Sequence, residues 1–153
     1  MARKEGRSRV AELIAGECLA VRMRTLNRAL TALYDEALRP LGLRVGQLNL
    51  LVAVARVGTA KPGDLCRVLR MDKSTLSRDV EVMRRNGWIE VDDSGDGRAR
   101  PLRLSDPGHA LLEAVVPAWR QAQEKAGALL GYGAAAALGQ VVDRIWMEGE
   151  AGR

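Results

Sequence analysis

The spacing of apolar residues along the chain predicts a run of helices before any strand. Leucines recur every three, four or seven residues from Leu19 to Leu38, which indicates a long amphipathic helix that ends near Pro40. Segment 44–58 has too many apolar residues for a surface helix, so we expect it at the centre of the core. A short helix is predicted over residues 61–70, opened by a proline whose missing N–H would be unpaired there anyway.

Between Asp72 and Asn86 the pattern predicts a further helix with two unlike faces. Leu76, Val80 and Met83 have the spacing of a buried stripe, and the Asp72 carboxylate is placed to accept N–H groups of the first turn. Two short helices joined tightly, the second with a polar start, are typical of a helix-turn-helix, whose second helix reaches DNA bases and phosphates. The candidate DNA-binding side chains at this start are Lys73, Ser74, Thr75, Ser77 and Arg78.

After Gly87 the apolar period shortens to two residues. Alternation runs from Trp88 to Val91 and resumes at Leu102 and Leu104, with the turn sequence SGDG between the two stretches. This pattern predicts a β-hairpin. A helix-turn-helix followed directly by a hairpin indicates a winged helix.

The predicted hairpin tip carries charges suited to duplex DNA. Arg98 and Arg100 stand beside the turn, and cations of this kind enter a narrow minor groove, where negative potential is concentrated. Asp96 lies two residues before Arg98, so its carboxylate can hold a neighbouring guanidinium in one orientation, although plain turn propensity explains an aspartate equally well. The sequence therefore adds Asp96, Arg98 and Arg100 to the DNA-binding candidates.

The two ends of the chain are predicted to form helices that need a partner. Residues 109–130 and 134–147 are rich in alanine and leucine, and Pro117 is expected to kink the first of these helices. Too little core surrounds them for burial within one subunit, so a two-fold homodimer on an inverted-repeat operator is predicted, with half-sites roughly 34 Å apart. The predicted fold class is mainly α with a small β-hairpin, divided into a flexible basic arm (1–9), a helical dimerisation region (10–42 and 109–150) and a winged helix-turn-helix DNA-binding domain (44–108).

The composition favours an anionic partner and argues against several other classes. The chain has 153 residues, a net charge of +5 and a pI near 9.8. No apolar run approaches the roughly 20 residues that span a bilayer, so we predict a cytoplasmic protein without membrane contact. One histidine, His109, and two cysteines, Cys18 and Cys66, do not make a four-ligand zinc site. Because no catalytic pairing or cofactor motif occurs in its required context, we predict neither enzyme activity nor a cofactor.

Nearly the whole chain resembles the MarR family of transcription factors. The resemblance rests on GLRVGQLNLLVAVARVG, on DLCRVLRMDKSTLSRDVEVMRRNGWIE and on the wing DGRARPLRLSDPG, with a long helix before them and two helices after. Its most specific part is Asp96 with Arg98, followed by a Leu-Ser/Thr-x-x-Gly pattern that ends at Gly108. The resemblance implies a homodimeric repressor or activator, with the helix from Lys73 in the major groove and Arg98, positioned by Asp96, in the minor groove.

Three questions stay open at this point. The resemblance implies release by a small aromatic or apolar effector between the terminal helices and the winged domain, with candidate walls at Leu30, Tyr34, Gln47 and Trp119. One branch of the family senses organic hydroperoxides through a cysteine in the first long helix, and Cys18 lies there near Arg22, two residues from the family's position. The third alternative is a winged-helix module that binds protein instead of DNA, because acidic residues nearly offset the cations of residues 61–104.

Overall fold

The computed structural model describes residues 2–92 and 100–151, and these residues are mostly helical. Two short strands, β1 (Ile89–Val91) and β2 (Leu102–Leu104), form the hairpin. The predicted fold class, mainly α with a small β-hairpin, is confirmed. The described helices are α1 (Ala2–Glu17), α2 (Leu19–Leu38), α3 (Val45–Val57), α4 (Pro62–Val68), α5 (Lys73–Arg85), α6 (Asp106–Ala114), α7 (Val116–Leu130) and α8 (Tyr132–Ala151), with a 3-10 turn at Arg39–Leu41.

Helix α3 lies at the centre of the core, as its crowded apolar sequence predicts. Leu50, Leu51 and Val54 on α3 are fully buried. Helix α5 is fixed to this core through one face, because Leu76 and Met83 are buried there. Further large buried side chains come from the end of α2, from the loop before α3, from α4 and from both strands: Leu38, Leu43, Leu65, Ile89, Leu102 and Leu104.

The start of α3 is tied to α2. The Val45 N–H donates to Asp35 Oδ1 of α2 (2.8 Å), and the Arg44 N–H donates to Gln47 Oε1 (3.1 Å). Side-chain acceptors thus satisfy backbone donors that a helix start would otherwise leave unpaired. Gly42, with φ of 66°, reverses the chain between the two helices.

The hairpin strands pair antiparallel, with Ile89 opposite Leu104 and Val91 opposite Leu102. Ala60, just before α4, exchanges two backbone hydrogen bonds with Leu102 (2.9 and 2.8 Å). This bridge joins the hairpin to the helix-turn-helix. The predicted turn at 94–97 and the candidates Asp96 and Arg98 lie outside the described residues.

The C-terminal helices break at a different place from the one predicted. The sequence predicts one kinked helix over residues 109–130, whereas α6 ends at Ala114 and α7 begins at Val116. Pro117 is the second residue of α7 and has no N–H to donate to the Glu113 carbonyl, so the helix is interrupted ahead of the proline.

At the other end of the chain, α1 and α2 are separate helices. The break falls at Cys18, whose backbone is extended (φ −68°, ψ 111°). Helix α1 covers most of residues 1–9, and the division of the chain into an arm, a dimerisation region and a DNA-binding domain stays a prediction. Over the described residues, no helix combines the length and the apolar character needed to cross a membrane.

Candidate nucleic-acid interface

Asp72 organises the first turn of α5 through three hydrogen bonds. Its Oδ1 accepts from the Ser74 hydroxyl (2.6 Å) and the Thr75 N–H (2.9 Å), and its Oδ2 accepts from the Thr75 hydroxyl (2.7 Å). These bonds, that of Ser74 foremost, hold the pKa of Asp72 well below its usual range because they stabilise the charged carboxylate. The predicted N-cap is confirmed. Both hydroxyl protons are used inside the chain, so Ser74 or Thr75 can donate to DNA only by leaving Asp72.

The remaining outer face of this first half of α5 is exposed and cationic. Lys73, Ser77 and Arg78 are exposed, and Arg78 lies on the side of the helix opposite the buried Leu76. Arg78 Nε donates to the Ser74 carbonyl one turn earlier (3.2 Å), and within the described residues the terminal amino groups of Arg78 have no partner. Two unpaired amino groups on one guanidinium match the paired acceptors of guanine or a phosphate.

The two arginines at the other end of α5 share one carboxylate within the helix. Glu81 accepts from Arg84 Nε (3.1 Å) and from Arg85 Nε (2.8 Å). These contacts, Arg84 first, lower the pKa of Glu81. Lys73 and Arg78, at the N-terminal end of α5, make no ion pair of this kind with a described residue, although the charge of Arg78 acts on the neighbouring Asp79.

Ser105 and Gly108 fix the hairpin to the C-terminal end of α5. The Ser105 hydroxyl accepts from the Gly108 N–H (3.1 Å) and donates to the Gly87 carbonyl, and the Ser105 N–H donates to the Trp88 carbonyl (3.2 Å). A Cβ added at position 108 would lie 2.0 Å from the Trp88 carbonyl oxygen, far inside van der Waals contact. Only glycine fits there. The Ser-x-x-Gly pattern of the sequence therefore has a physical cause.

A cleft of about 540 Å³ separates the start of α3 from α5. Partial burial raises the pKa of Asp79 in this cleft, while the charges of Arg44 and Arg78 act in the opposite direction. The sequence analysis missed Arg44, because only the packing of α3 against α5 brings it beside Arg78. The lining residues are Gly42, Arg44, Gln47, Thr75, Arg78, Asp79 and Val82.

A second cleft, of about 810 Å³, lies between α4, α5 and the hairpin. Lys73 and Arg100, which the sequence assigns separately to the helix and to the wing, both line it. Arg84 lines it as well and was not among the candidates. The described part of the wing thus shares one concave surface with the start of α5.

The predicted effector residues divide between two places. Tyr34 on α2 donates its hydroxyl to Gln123 Oε1 on α7, and burial raises the pKa of Tyr34. Leu30 is half-buried on α2, and Trp119 on α7 is 39% exposed. Gln47 is buried and lines the cleft beside α5.

Cys18 is half-buried at the break between α1 and α2. The nearby Arg22 guanidinium donates to the Gly16 carbonyl. In residues 2–92 and 100–151, no group of three or more His, Cys, Asp or Glu side chains is placed to hold a metal ion.

Comparison with known proteins gives concordant matches. The model of the MarR family matches residues 41–99. The multiple antibiotic resistance protein MarR of Salmonella typhimurium is 28% identical over 89 residues, which cover 58% of this chain and 62% of that protein. This chain thus spans less than two thirds of that relative's length.

Two solved structures extend the comparison to nearly full length. A mutant MarR of E. coli in complex with operator DNA has a TM-score of 0.75 and 21% identity, with 87% of this chain and 97% of that chain covered, which establishes a common fold. The M. tuberculosis transcriptional regulator MOSR in complex with DNA is 31% identical, with 90% of this chain and 99% of that chain covered and a TM-score of 0.73. On these matches and on the winged-helix architecture described above, the chain belongs to the MarR family.

Proposed function

We propose that the chain is a sequence-specific DNA-binding transcriptional regulator that acts as a homodimer on an inverted-repeat operator. The observation that carries the proposal is the placement of α5, whose buried Leu76 and Met83 hold it in the core while Lys73 and Arg78 are exposed. A helix held in this way fits the major groove with its N-terminal residues towards the bases. The M. tuberculosis relative was solved in complex with DNA, which supports the same use here.

By their chemistry, one of the described candidates is suited to reading a base and several are suited to binding the DNA backbone. Arg78 reads a guanine, because its terminal N–H groups form the two-donor match to guanine O6 and N7. Lys73, Ser77 and Arg100 bind phosphates on either side of the shared cleft. In this proposal Arg98, positioned by Asp96, enters the minor groove next to the site.

The exposed apolar residues of the terminal helices support a homodimer. These side chains, from 39 to 73% exposed, form stripes that a second copy would cover by placing the same surfaces against each other about a two-fold axis. Two winged units then meet two half-sites roughly 34 Å apart. The exposed residues are Val10, Leu13, Ile14, Leu19, Val21 and Met23 on α1 and α2, and Leu129, Trp119, Val141, Val142 and Ile145 on α7 and α8.

Selection of bound duplexes from random DNA tests the proposal directly. The expected product is an inverted repeat whose half-sites are one helical turn apart, because that result reports sequence reading and two-fold symmetry together. Recovery of no enriched sequence would contradict a sequence-specific regulator. A cytoplasmic location, as predicted from the sequence, belongs to the same proposal because genomic DNA is the target.

Substitution of arginines at the two ends of α5 tests the base-reading role. Arg78→Ala is expected to weaken operator binding by about 5- to 150-fold, equivalent to about 1 to 3 kcal/mol, and to affect unrelated duplexes less. Arg85→Ala is the matched control, because Arg85 is an exposed arginine of the same helix whose guanidinium is paired with Glu81. Equal affinities of both variants for the operator would show that α5 is misassigned.

A winged-helix module that binds protein is the rival from another class. It predicts no steep fall of duplex affinity with added salt, whereas phosphate contacts predict a log–log slope of about 0.9 for each contact. Arg98→Ala gives a second distinction between the two functions. If the chain binds DNA, this variant is expected to bind all duplexes more weakly, because a minor-groove cation is lost.

Release by an effector is the regulatory part of the proposal. The cleft that Gln47 and Arg78 both line supports this part of the proposal. A small ligand bound there would lie between α3 and the arginine that is proposed to read a base. Small phenolic and apolar compounds that release the operator from the wild type, but not from a Gln47→Ala variant, are the expected finding. For thiol sensing through Cys18, peroxide must release the operator from the wild type and fail to release it from Cys18→Ser.

A further inference from the structure

Five described residues have a positive backbone φ, and each one closes a helix or a helical turn. Gly42, Gly58, Gly87 and Gly131 have φ between 66° and 74°, where glycine is favoured because it has no Cβ. The fifth is Arg70, with φ of 49°, in the turn of the helix-turn-helix. Over residues 2–92 and 100–151, Arg70 alone adopts this conformation without being glycine.

The backbone around Arg70 is a Schellman motif that ends α4. The Met71 N–H donates to the Cys66 carbonyl (2.9 Å), and the Arg70 N–H donates to the Arg67 carbonyl (3.3 Å). Glycine is the usual residue at the left-handed position of this motif, because a Cβ there approaches the following carbonyl oxygen.

The end of α5 supplies an internal control with the same hydrogen bonds. There the Trp88 N–H donates to the Met83 carbonyl (2.9 Å), and the Gly87 N–H donates to the Arg84 carbonyl (3.0 Å). The corresponding left-handed residue is glycine. The left-handed position is thus occupied by glycine after α5, without strain, and by arginine after α4, with strain.

The Arg70 side chain makes no contact within the described part of the chain that would offset this strain. It is exposed, and it has neither a hydrogen bond nor an ion pair with any described residue. The nearby carboxylates are engaged elsewhere, since Asp64 pairs with Arg67 and Asp72 caps α5. A strained residue whose guanidinium has no partner among residues 2–92 and 100–151 points to a partner outside the fold.

We propose that Arg70 binds a phosphate of the DNA backbone at the edge of the groove that α5 enters. This inference rests on the proposed function and adds a residue to it. Arg70 lies two positions before Asp72, at the same end of α5 as Lys73, and the helix that it follows is the one that crosses the DNA backbone in a helix-turn-helix. An arginine has five donors and no acceptor, so an anionic oxygen is its natural ligand. A phosphate contact sets affinity and register and leaves base preference unchanged.

Two substitutions separate the guanidinium from the strain. Arg70→Ala removes the guanidinium and keeps a Cβ at the left-handed position, whereas Arg70→Gly removes both. In a homodimer each variant loses two phosphate contacts, so the log–log slope of affinity against salt is expected to be smaller by about 1.8. Between 50 and 200 mM salt, the affinity of the wild type should consequently fall about tenfold further than that of either variant. Arg70→Lys keeps the charge and is expected to retain the wild-type slope.

Thermal unfolding supplies the second readout. Arg70→Gly is expected to have a Tm about 2 to 4 °C higher than Arg70→Ala, because glycine relieves the strain. An arginine whose guanidinium stabilises the fold predicts instead that both variants unfold at a clearly lower Tm than the wild type, and that result would overturn the inference.

The DNA measurements distinguish failure of this inference from failure of the proposed function. If the wild type shows a steep slope, Arg78→Ala is impaired on the operator and both Arg70 variants keep the wild-type slope, the role of Arg70 alone is overturned. If the wild type shows no salt-dependent duplex binding, both proposals are overturned.

Discussion

The winged unit, residues 44–108, and the terminal helices, α1, α2, α7 and α8, bury their apolar residues to very different extents. In the winged unit the leucines of α3, together with Val54, Ile89, Leu102 and Leu104, lie in one core. In the terminal helices, α7 buries only Ala122 and Ala126 among its described residues, and the apolar stripes of α1 and α8 are exposed. An amphipathic pattern shows that a helix needs a covering surface. It does not show whether the same chain or a second copy supplies that surface.

The largest expected effect tests the core of the winged unit. Leu51→Ala removes a fully buried side chain from α3 and is expected to lower the free energy of unfolding by about 2 to 5 kcal/mol. Val57→Ala, on the same helix but 63% exposed, should change it by less than about 0.5 kcal/mol. Urea unfolding followed by circular dichroism gives both values, and similar losses for the two variants would break the comparison.

The next effect tests the contact between the hairpin and the end of α5. Gly108→Ala places a Cβ 2.0 Å from a backbone oxygen that cannot move independently, so a loss of about 2 to 3 kcal/mol in unfolding free energy is expected. Gly46→Ala is the control, since a Cβ there meets nothing within 4 Å, and its effect should stay below about 1 kcal/mol. A Gly108→Ala protein as stable as the wild type would refute the close approach.

The third effect tests whether a second copy covers the terminal helices. Ile145→Asp puts a charge into the stripe of α8, and burial of that charge should raise the Kd for self-association by about tenfold or more, equivalent to at least about 1.4 kcal/mol. Gln140→Asp adds the same charge to α8 outside the stripe. Sedimentation equilibrium measures both, and a wild type that stays monomeric at all concentrations would refute the homodimer.

The smallest effect is the pH dependence of the Asp72 cap. Because the pKa of Asp72 is lower in the folded chain than its ordinary value of 3.8, the folded state binds fewer protons. The contribution of Asp72 is therefore complete above about pH 5 and is lost progressively as the pH falls below about 4. Asp72→Asn should show a shallower loss of stability over this acidic range. Glu81→Gln is expected to show the same kind of change, because the pKa of Glu81 is lowered in the folded chain as well.

The sequence predicted the features that depend on residues close together in the chain or on a regular spacing of apolar residues. The cap at Asp72 and the buried stripe of Leu76 and Met83 follow from residues within one helix, and the hairpin follows from alternation around a turn. The exact place of the break, at Cys18, was not predicted, although Gly16 lies two residues before it. The break before Pro117 was predicted approximately, since a proline limits where a helix begins and leaves open how the preceding residues end.

The parts of the candidate site that the sequence missed depend on packing between elements. Arg44 and Arg78 line one cleft, and Lys73 and Arg100 line another, only because the folded chain brings the start of α3 and the hairpin towards α5. The engagement of the Ser74 and Thr75 hydroxyls by Asp72 depends on side-chain rotamers that no periodicity encodes. The left-handed backbone of Arg70 was not predicted either, because glycine is the residue that usually marks this conformation and position 70 is an arginine.

The shared carbonyls of Gly87 and Trp88 have a mechanical consequence. Since Ser105 donates hydrogen bonds to both of them, the end of the hairpin is held directly against the end of α5. In the proposed homodimer, an effector that moves the terminal helices would change the span between the two winged units. Operators lengthened or shortened by one base pair at their centre would then report that span.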